Sequence, residues 1–328
     1  MTDKPQPKPA GLQPRRLPRP VSPDGVLIVD KEAGMTSHDV VARVRKIMHT
    51  RRVGHTGTLD PFATGVLVIC LNQATRLAQY LTSDEKEYLA TVRFGHATDT
   101  GDLTGTPLAA PVDARHLTVE MLEQALEPFR GRQQQTPPMY SAKKIDGVKL
   151  YELARQGKEI ARQAVEIEIR ALELVDSAPR DTGTSREYIL RVACSAGTYI
   201  RTLAEDIGQA LDVGAHLTAL RRTRAGDFHL GQAVTLATLA ARMEAGTADE
   251  LIVPMAAALH APAVTLNEEQ LAKVLHGNAI LPEVDFPSGA LVKLLAADGE
   301  LAAIAEAIPA RHGERRVLQP RAVLREAL

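Results

Sequence analysis

The sequence predicts an α+β protein, with a mixed, largely antiparallel central sheet, flanking helices and a small β-rich module at the C-terminus. Three observations carry this prediction. The chain has 328 residues, more than the usual size of one domain. Up to about residue 248, short β-branched apolar runs alternate with amphipathic helical patterns. From about Leu251, short strands surround one helix, Glu268–His276, with Gly277 as its C-cap, which indicates a partly closed barrel.

The elements of the larger domain follow one another in order from Gly25. Its strands are predicted from apolar or alternating runs at Gly25–Asp30, Val66–Leu71, Tyr88–Phe94, Val165–Val175 and Glu187–Cys194. Its helices are predicted from apolar residues at helical spacing and from capping residues. They lie at Thr36–His49, Ala74–Leu81, Leu117–Phe129 and Leu236–Glu244, and a further helix opens in S-A-G-T-Y-I-R-T-L-A-E-D-I-G and ends near Leu211. We therefore place the larger domain at residues 23–248 and the module at 249–328.

Composition restricts the cellular setting. Residues 1–22 hold six prolines and five basic residues against one acidic residue, as a flexible, disordered tail does. The N-terminus lacks the apolar core of a signal peptide, and no segment approaches a membrane span. Cys70 and Cys194 sit in apolar surroundings, as buried thiols do in a reducing compartment. We expect a cytoplasmic protein. Because its net charge is −1, any nucleic-acid surface must be a local patch.

The loop Gly54–Gly65, which reads G-H-T-G-T-L-D-P-F-A-T-G, holds the candidate catalytic residue. Its glycines allow backbone angles closed to other residues and let a ligand approach the main chain. Asp60 is the only carboxylate in the loop, and Pro61 restricts its backbone to extended or turn geometry. Beside His55, Asp60 can serve as a positioned nucleophile or base. The alternative is an Asp-Pro turn whose side chain bonds to its own backbone.

Two segments are rich in basic residues. Between Lys31 and Arg52, six basic residues stand against two acidic ones and lead into the Asp60 loop. Between Arg130 and Lys158, seven basic residues stand against two acidic ones, among prolines, glycines and tyrosines. We expect the first segment to face phosphates, with Lys31 at the substrate, and residues 130–160 to be a mobile arm that grips a polyanion. A solvated helix face and an excursion that covers the core are the alternatives.

A metal site is the third possibility raised by the residues. His96, Asp99 and Asp102 lie close together in H-A-T-D-T-G-D-L-T-G, but their spacing matches no closed ligand set. A polar turn between strands explains them more simply. We expect no metal.

Three motifs resemble the tRNA pseudouridine synthase B (TruB) family. They are the Asp60 loop preceded by D-K-E-A-G-M-T-S, then P-P-M-Y-S-A-K-K-I-D-G-V-K-L-Y-E-L-A-R-Q-G, then G-T-Y-I-R-T-L-A-E-D-I-G. The motifs are long, lie in the family's order and cover about Gly25 to Glu244. The chain after Leu251 looks like the family's C-terminal PUA-type RNA-binding barrel. Glu32 stands where the family often has proline. The resemblance implies the pseudouridine synthase fold.

The resemblance also implies an activity, which is the isomerisation of uridine 55 in the T loop of tRNA to pseudouridine. Asp60 would be the essential carboxylate, with Arg201 beside it. Around the substrate nucleotide the resemblance places His55, Tyr88, Tyr199 and Leu220. The basic arm would be a thumb that closes on the T stem-loop, with RNA contacts from Lys143, Lys144, Lys149 and Arg155.

The chemistry of this rearrangement sets further expectations. No oxidation or hydrolysis results, so we expect no cofactor. We also expect a monomer that binds tRNA without an obligate protein partner. From the residues alone, Tyr88 and Tyr199 are equally compatible with a place in the core, and Leu220 is an ordinary core residue that only the resemblance places at the substrate. Two rival functions stay open. One is an RNA-binding protein or tRNA-folding chaperone on the same scaffold, and the other is a metal-dependent nuclease built on Asp60, His96, Asp99 and Asp102.

Overall fold

The computed structural model describes residues 23–82, 85–141, 160–176, 178–310 and 316–325, and the backbone of 144–145 and 148–149. The strands that precede residue 254 are β1 (Gly25–Lys31), β2 (Val53–Thr56), β3 (Thr64–Leu71), β4 (Lys86–Phe94), β5 (Gly131–Gln135), β6 (Lys144–Ile145), β7 (Val148–Lys149), β8 (Val165–Leu174), β9 (Arg180–Thr182), β10 (Ser185–Cys194), β11 (Ala215–Ala225), β12 (Phe228–His229) and β13 (Ile252–Val253).

Eleven of these strands form one sheet. Its spatial order is β13-β1-β3-β11-β4-β10-β8-β5, with β2 paired to β3, β9 to β10 and β12 to β11. Between the named strands of this sheet, as far as the chain is described, the ladders are antiparallel except for β3 with β11, where Arg221 pairs with Thr64 and Arg222 with Gly65. The predicted α+β class with a mixed, largely antiparallel sheet is confirmed.

The described helices are α1 (Ser37–Ile47), α2 (Ala78–Leu81), α3 (Val119–Leu126), α4 (Ile200–Ala210), α5 (Leu236–Glu244), α6 (Met255–Ala258) and α7 (Glu268–Leu275). Helix α1 begins where predicted, because Thr36 and Asp39 form a capping box that satisfies free backbone N–H groups. The first half of the helix predicted at Ala74–Leu81 belongs instead to a 3₁₀ turn, Asn72–Leu77, that leads into α2.

The two faces of the sheet bury different cores. On one face, alternate residues of β4, from Tyr88 to Phe94, pack with the apolar sides of α1, α3 and α4. On the other face, the β1–β3 half packs against Leu301, Ile304 and Leu324 from the C-terminal module. The β-rich module is therefore joined to the sheet through a continuous apolar contact.

The module after Leu251 contains a four-stranded sheet. Its strands follow the chain order and are β14 (Ala263–Thr265), β15 (Leu291–Leu295), β16 (Leu301–Pro309) and β17 (Arg316–Val323). The guanidinium of Arg76 donates to the carbonyl of Val323, which adds a polar contact to the apolar one. A β-rich C-terminal module is confirmed, and its PUA-type identity and the domain boundaries stay predictions.

The start of the predicted arm differs from expectation. Residues 131–135 pair with β8 as the edge strand β5, so the segment that leaves the sheet begins after Gln135. Backbone pairing, not side-chain polarity, decides this placement. Farther along, β6 and β7 form a short hairpin with Lys144 opposite Lys149. Among the described residues, no helix is long and apolar enough to cross a membrane.

Candidate active site

The Asp60 loop connects β2 to β3 across the edge of the first core. Asp60 and Pro61 do form a tight turn, since the Ala63 N–H donates to the Asp60 carbonyl at 3.1 Å. The Asp60 carboxylate nevertheless bonds elsewhere, because its Oδ2 lies 2.9 Å from Nε of Arg201 and its Oδ1 3.4 Å from the NH2 nitrogen. The alternative interpretation is therefore right about the turn and wrong about the side chain, and the catalytic role of Asp60 stays a prediction. The turn sets the backbone, and the side chain is free to meet a partner 141 residues away.

Arg201 is the anchor of the site. It lies in the first turn of α4, its side chain is only 6% exposed, and its NH1 and NH2 nitrogens donate to the carbonyls of Thr100 at 2.8 Å and Tyr140 at 2.6 Å. Asp102 lies 4.0 Å from its NH1 nitrogen. Five fixed N–H donors make a guanidinium suited to bridging several acceptors at once. The geometry therefore fixes Arg201 first and lets it orient Asp60.

The electrostatics of Asp60 reflect a balance of burial and charge. Its side chain is 35% exposed. The surrounding protein still removes much of its water, and this burial raises the pKa of Asp60 above the usual aspartate value. The Arg201 guanidinium acts in the opposite direction, and so does the ammonium of Lys31. The carboxylate is held by cations in a poorly hydrated place, which suits a reactive anion.

The residues expected around a substrate nucleotide come from four elements. Tyr88 on β4 and Leu220 on β11 face the first core and are 8% and 6% exposed. Tyr199 precedes α4, and its backbone N–H and carbonyl are both bound by the side-chain amide of Gln135, at 2.8 and 3.0 Å. Burial raises the pKa values of Tyr88 and Tyr199, and the negative charge of Asp60 raises both pKa values further. Tyr88 and Tyr199 therefore share one neighbourhood with Asp60.

His55 lies on β2, half-buried, with its ring 5.5 Å from that of His38 in an edge-on arrangement. Burial lowers its pKa, and so do the charges of His38 and Arg222. Its Nδ1 is buried and finds no hydrogen-bond partner among the described residues. A neutral ring with a spare polar atom at the edge of the site fits contact with a nucleotide.

Lys31 lies where the prediction did not expect it. The residue is fully buried, and its ammonium donates to the carbonyls of Glu32 at 2.9 Å, Met35 at 2.7 Å and Pro61 at 3.2 Å. Burial lowers its pKa to about 8. Because its three donors are already used by backbone carbonyls, Lys31 supports the loop from beneath and is not placed to contact substrate.

The sequence reasoning missed two further supports of the loop. Arg222 on β11 is 1% exposed, and its Nε and NH2 nitrogens donate to the carbonyls of Val66 at 2.7 Å and Gly57 at 2.9 Å. The hydroxyl of Ser37 accepts from the Leu59 N–H at 2.9 Å and fastens the loop to the start of α1. The run of arginines at the end of β11 was a signal for Arg222, but burial of a guanidinium is too rare to assume.

Close approach of β3 and β11 explains one glycine of the loop motif. Gly65 has a φ of +99°, and a Cβ there would lie 2.2 Å from the carbonyl oxygen of Arg222. Any other residue would push apart the strand that carries Arg222 and the loop that carries Asp60.

The residues of the metal hypothesis are dispersed. The Asp102 carboxylate accepts from Thr100 and Thr104, and Asp99 accepts from the Thr106 N–H at 2.8 Å. The ring of His96 lies 4.5 Å from that of His216. Within the described part of the chain, no group of three or more His, Cys, Asp or Glu residues could hold a metal ion. Asp102 instead belongs to the surroundings of Arg201.

The structure describes only part of the predicted RNA-contact residues of the arm. Lys143 and Arg155 lie outside the described residues. Lys144 and Lys149 lie on the β6–β7 hairpin, for which only the backbone is described. Their roles stay predictions.

Family models match the chain almost throughout. Residues 45–200 match the TruB family pseudouridylate synthase N-terminal domain, residues 201–260 the tRNA pseudouridylate synthase B C-terminal domain, and residues 262–318 the pseudouridine synthase II TruB C-terminal model. The tRNA pseudouridine synthase B of Geobacillus thermodenitrificans (strain NG80-2) is 42% identical over 308 residues, which covers 92% of this chain and 100% of the relative. That of Bacillus pumilus (strain SAFR-032) is 46% identical over 263 residues, or 80% and 84% of the two chains.

Solved structures agree with the sequence matches. A chain in the crystal structure of a Cbf5-Nop10-Gar1 complex is 29% identical with a TM-score of 0.71, and the match covers 96% of this chain and 90% of that one. A chain in an H/ACA RNP bound to a substrate RNA containing 2'-deoxyuridine is 27% identical with a TM-score of 0.69, covering 92% and 85%. The chain described here therefore belongs to the TruB family of pseudouridylate synthases, and it is an isomerase.

Proposed function

We propose that this enzyme converts uridine to pseudouridine at position 55 in the T loop of tRNA. The observation that carries the proposal is the Asp60 carboxylate, held 2.9 Å from the buried Arg201 guanidinium in the same neighbourhood as Tyr88 and Tyr199. The relatives named tRNA pseudouridine synthase B support tRNA as the substrate.

The reaction needs one anionic group and no net change in composition. The bond from C1′ of the sugar to N1 of uracil breaks, the base turns, and C1′ bonds to C5. The proton lost from C5 is balanced by one gained at N1. In our proposal Asp60 starts this sequence by attacking carbon or by removing a sugar proton. Both roles require the ionised form, which Arg201 favours.

A base inside a folded stem-loop reaches Asp60 only if it is extruded, at a cost of a few kcal/mol. Stacking on an aromatic ring offsets roughly 1–3 kcal/mol of that cost. We propose that Tyr88 and Leu220 flank the extruded uracil, that Tyr199 contacts it near Arg201, and that His55 contacts the RNA at the edge of the site. The small exposed fractions of Tyr88 and Leu220 fit side chains that line the floor of a cleft.

The proposal also assigns the rest of the chain. Residues 23–248 form the catalytic domain, residues 249–328 a PUA-like RNA-binding domain, and Lys143, Lys144, Lys149 and Arg155 grip the T stem-loop. We place the enzyme in the cytoplasm as a monomer that works without a protein partner.

Asp60→Asn tests the proposal directly. The variant should bind an unmodified T stem-loop with an affinity close to that of the wild type, since one exposed edge of a small side chain is altered. It should form no pseudouridine in a single-turnover assay that follows tritium release from C5 of uridine. Asp249→Asn, on an exposed residue far along the chain, is the matched control and should turn over normally.

Two results would contradict the proposal. One is product formation by Asp60→Asn at a rate near that of the wild type. The other is wild-type product at a uridine other than position 55, with a T loop carrying cytidine at 55 still modified. Because Asp60→Asn keeps the RNA-binding surface, it also separates turnover from the alternative role in tRNA folding.

A further inference from the structure

An open, positively charged groove runs along the C-terminal half of α1. Its volume is about 600 Å³, and it is lined by Ala42, Arg45, Lys46, His49, Thr50 and Arg51. Exposed Arg43 and Arg52 flank it. We call these residues the α1 groove. Its lining contains one small apolar side chain and no phenylalanine, tyrosine or tryptophan, unlike the anchor pockets of protein interfaces.

The charges of the α1 groove are not neutralised. None of its arginines or its lysine has a carboxylate of the described chain within the 4.0 Å of an ion pair. Among the described residues, the side chain of Arg45 donates only to the backbone carbonyl of Val53, at 2.9 Å. Asp39, on which the Arg43 charge acts, is already bonded to Thr36 at the other end of the helix. In a chain of net charge −1, this is a concentrated positive patch.

The helix dipole explains only part of the pattern. Cations in the last turn of a helix are stabilised by its C-terminal carbonyls, which accounts for Arg45 and Lys46. Arg51 and Arg52 follow the helix end, and Arg43 lies a turn earlier. Placing five cations together costs repulsion, and a polyanion removes that cost when it binds.

The α1 groove is preformed. The turn after the helix is fixed by Thr50, whose N–H donates to the Arg45 carbonyl at 3.2 Å and whose hydroxyl donates to Asn72 at 2.5 Å. His49 takes a φ of +52° to make this turn. The Asn72 N–H in turn donates to the Arg52 carbonyl at 2.8 Å. Little ordering cost therefore opposes binding.

The same helix connects the groove to the active site. Ser37, at its first residue, is bonded to Leu59, the neighbour of Asp60. At 1.5 Å per residue, Lys46 lies about 14 Å farther along the axis. The groove therefore lies beyond the extruded nucleotide, within reach of other nucleotides of the same RNA.

We propose that the α1 groove binds the phosphate backbone of the base-paired stem that carries the target loop. This inference rests on the proposed function and adds a second, rigid anchor to the arm. Phosphate contacts of this kind set register on a duplex without reading its sequence. The groove thus favours a loop presented on a stem over the same loop without one.

The test is the triple variant Arg45→Gln/Lys46→Gln/Arg51→Gln. Its matched control is Arg115→Gln/Arg170→Gln/Arg242→Gln, which removes the same charge from exposed arginines that are already ion-paired. Equilibrium binding is measured against salt for a T stem-loop with a full stem and for the same loop with a two-pair stem. Hydroxyl-radical footprinting of the stem gives an independent readout.

We expect the groove variant to bind the full stem on the order of tenfold or more weakly at 0.1 M salt. Its log–log salt slope should fall by about 0.9 for each phosphate that the variant no longer neutralises. The short-stem RNA should be bound equally by variant and wild type, and protection of the stem riboses beyond the second pair should disappear.

Four results would overturn the inference. Three are an unchanged salt slope, an equal loss of affinity for the short stem, and an equal loss of affinity in the control triple; the fourth concerns a protein partner. Single-turnover rates at saturating RNA keep it separate from the proposed function. If the wild type binds the stem through the groove but makes no pseudouridine, the proposed function is refuted and the RNA-binding role of the groove is kept. Selective capture of an acidic peptide with no change in RNA binding would assign the groove to a protein partner and overturn it.

Discussion

Two sets of cations on the central sheet behave in opposite ways. On the solvent-exposed side of strands β4, β8 and β10, which we call the open face, arginines and glutamates of neighbouring strands form ion pairs. Arg191 lies 2.7 Å from Glu87 and 2.9 Å from Glu173. Under the Asp60 loop, Lys31 and Arg222 are fully buried and donate to backbone carbonyls, and Arg222 also hydrogen-bonds the side chain of Tyr88. The first arrangement cancels charge at the surface, and the second keeps charge where water is scarce.

The two arrangements differ in their free-energy cost and in their role. Exposed ion pairs contribute about 0–1 kcal/mol each because water and salt screen them. A buried cation without a carboxylate costs several kcal/mol of desolvation, which only well-placed acceptors offset. That cost is understandable if the cations fix the loop and sustain a positive field around Asp60. Substituting one cation of each set tests whether the two sets differ in this way.

The largest effect is expected for Arg222→Met. The change leaves the carbonyls of Gly57 and Val66 buried without a donor, so the free energy of unfolding should fall by on the order of 3–5 kcal/mol. The single-turnover rate should fall about 100-fold with little change in RNA affinity, because the loop is displaced while the RNA-binding surface is kept. Denaturant unfolding and single-turnover kinetics measure the two effects.

The control lies on the same strand. Arg224 faces the other side of the sheet, is 38% exposed and pairs with Glu85 at 3.2 Å. Arg224→Met should cost less than about 1 kcal/mol and leave the rate unchanged. Arg222→Lys should recover part of the rate, since it restores the charge. Equal losses in the Arg222→Met and Arg224→Met variants would refute the distinction between the two sets.

Strong periodic signals made most of the fold predictable. The apolar run from Gly25 became β1 and the capping residues at Thr36 started α1, because burial and capping act locally in the sequence. Asp60 was found because glycines and a proline mark a special turn. Strand β5 was missed because G-R-Q-Q-Q carries no apolar pattern, and its pairing with β8 is a backbone interaction.

The supports of the site could not be predicted in the same way. The pairing of β4 with β11 shifts register between Arg222 and Arg224, and simple alternation cannot reveal such a shift. Lys31 was assigned to the substrate because a basic residue next to a loop is normally exposed. Its burial depends on carbonyls of Met35 and Pro61 that only the folded loop brings together.

A smaller effect is expected from Glu205, which adds a carboxyl to the surroundings of Arg201. A Cβ at Gly101 would lie 2.2 Å from its Oε1, so the side chain is packed under the loop of Asp102. Burial raises the pKa of Glu205 to about 7, the charges of Asp206 and Asp102 add to the rise, and those of Arg201 and Arg162 oppose it.

The sign of the pH dependence follows from that raised pKa. Between the unfolded value of 4.5 and about 7 the folded state binds more protons, so stability falls as pH rises through this window. Glu205→Gln should therefore exceed the wild type in stability at pH 8 by on the order of 1–2 kcal/mol, with little difference near pH 5. Urea unfolding at both pH values measures this, with exposed Glu244→Gln as control. A constant difference at all pH values would contradict the prediction.

The smallest effect is expected on the open face, and it completes the comparison. Arg191→Gln removes a side chain that is 36% exposed and contacts Glu87 and Glu173. Because Glu87 keeps its hydrogen bond from Thr223 at 2.7 Å, no buried charge is left alone. The free energy of unfolding should fall by less than about 1 kcal/mol, the loss should shrink as salt is added, and the single-turnover rate should not change. A double-mutant cycle of Arg191→Gln with Glu173→Gln measures the coupling. A loss near that of Arg222→Met, insensitive to salt, would mean that the face is not screened and that the two sets of cations do not differ in kind.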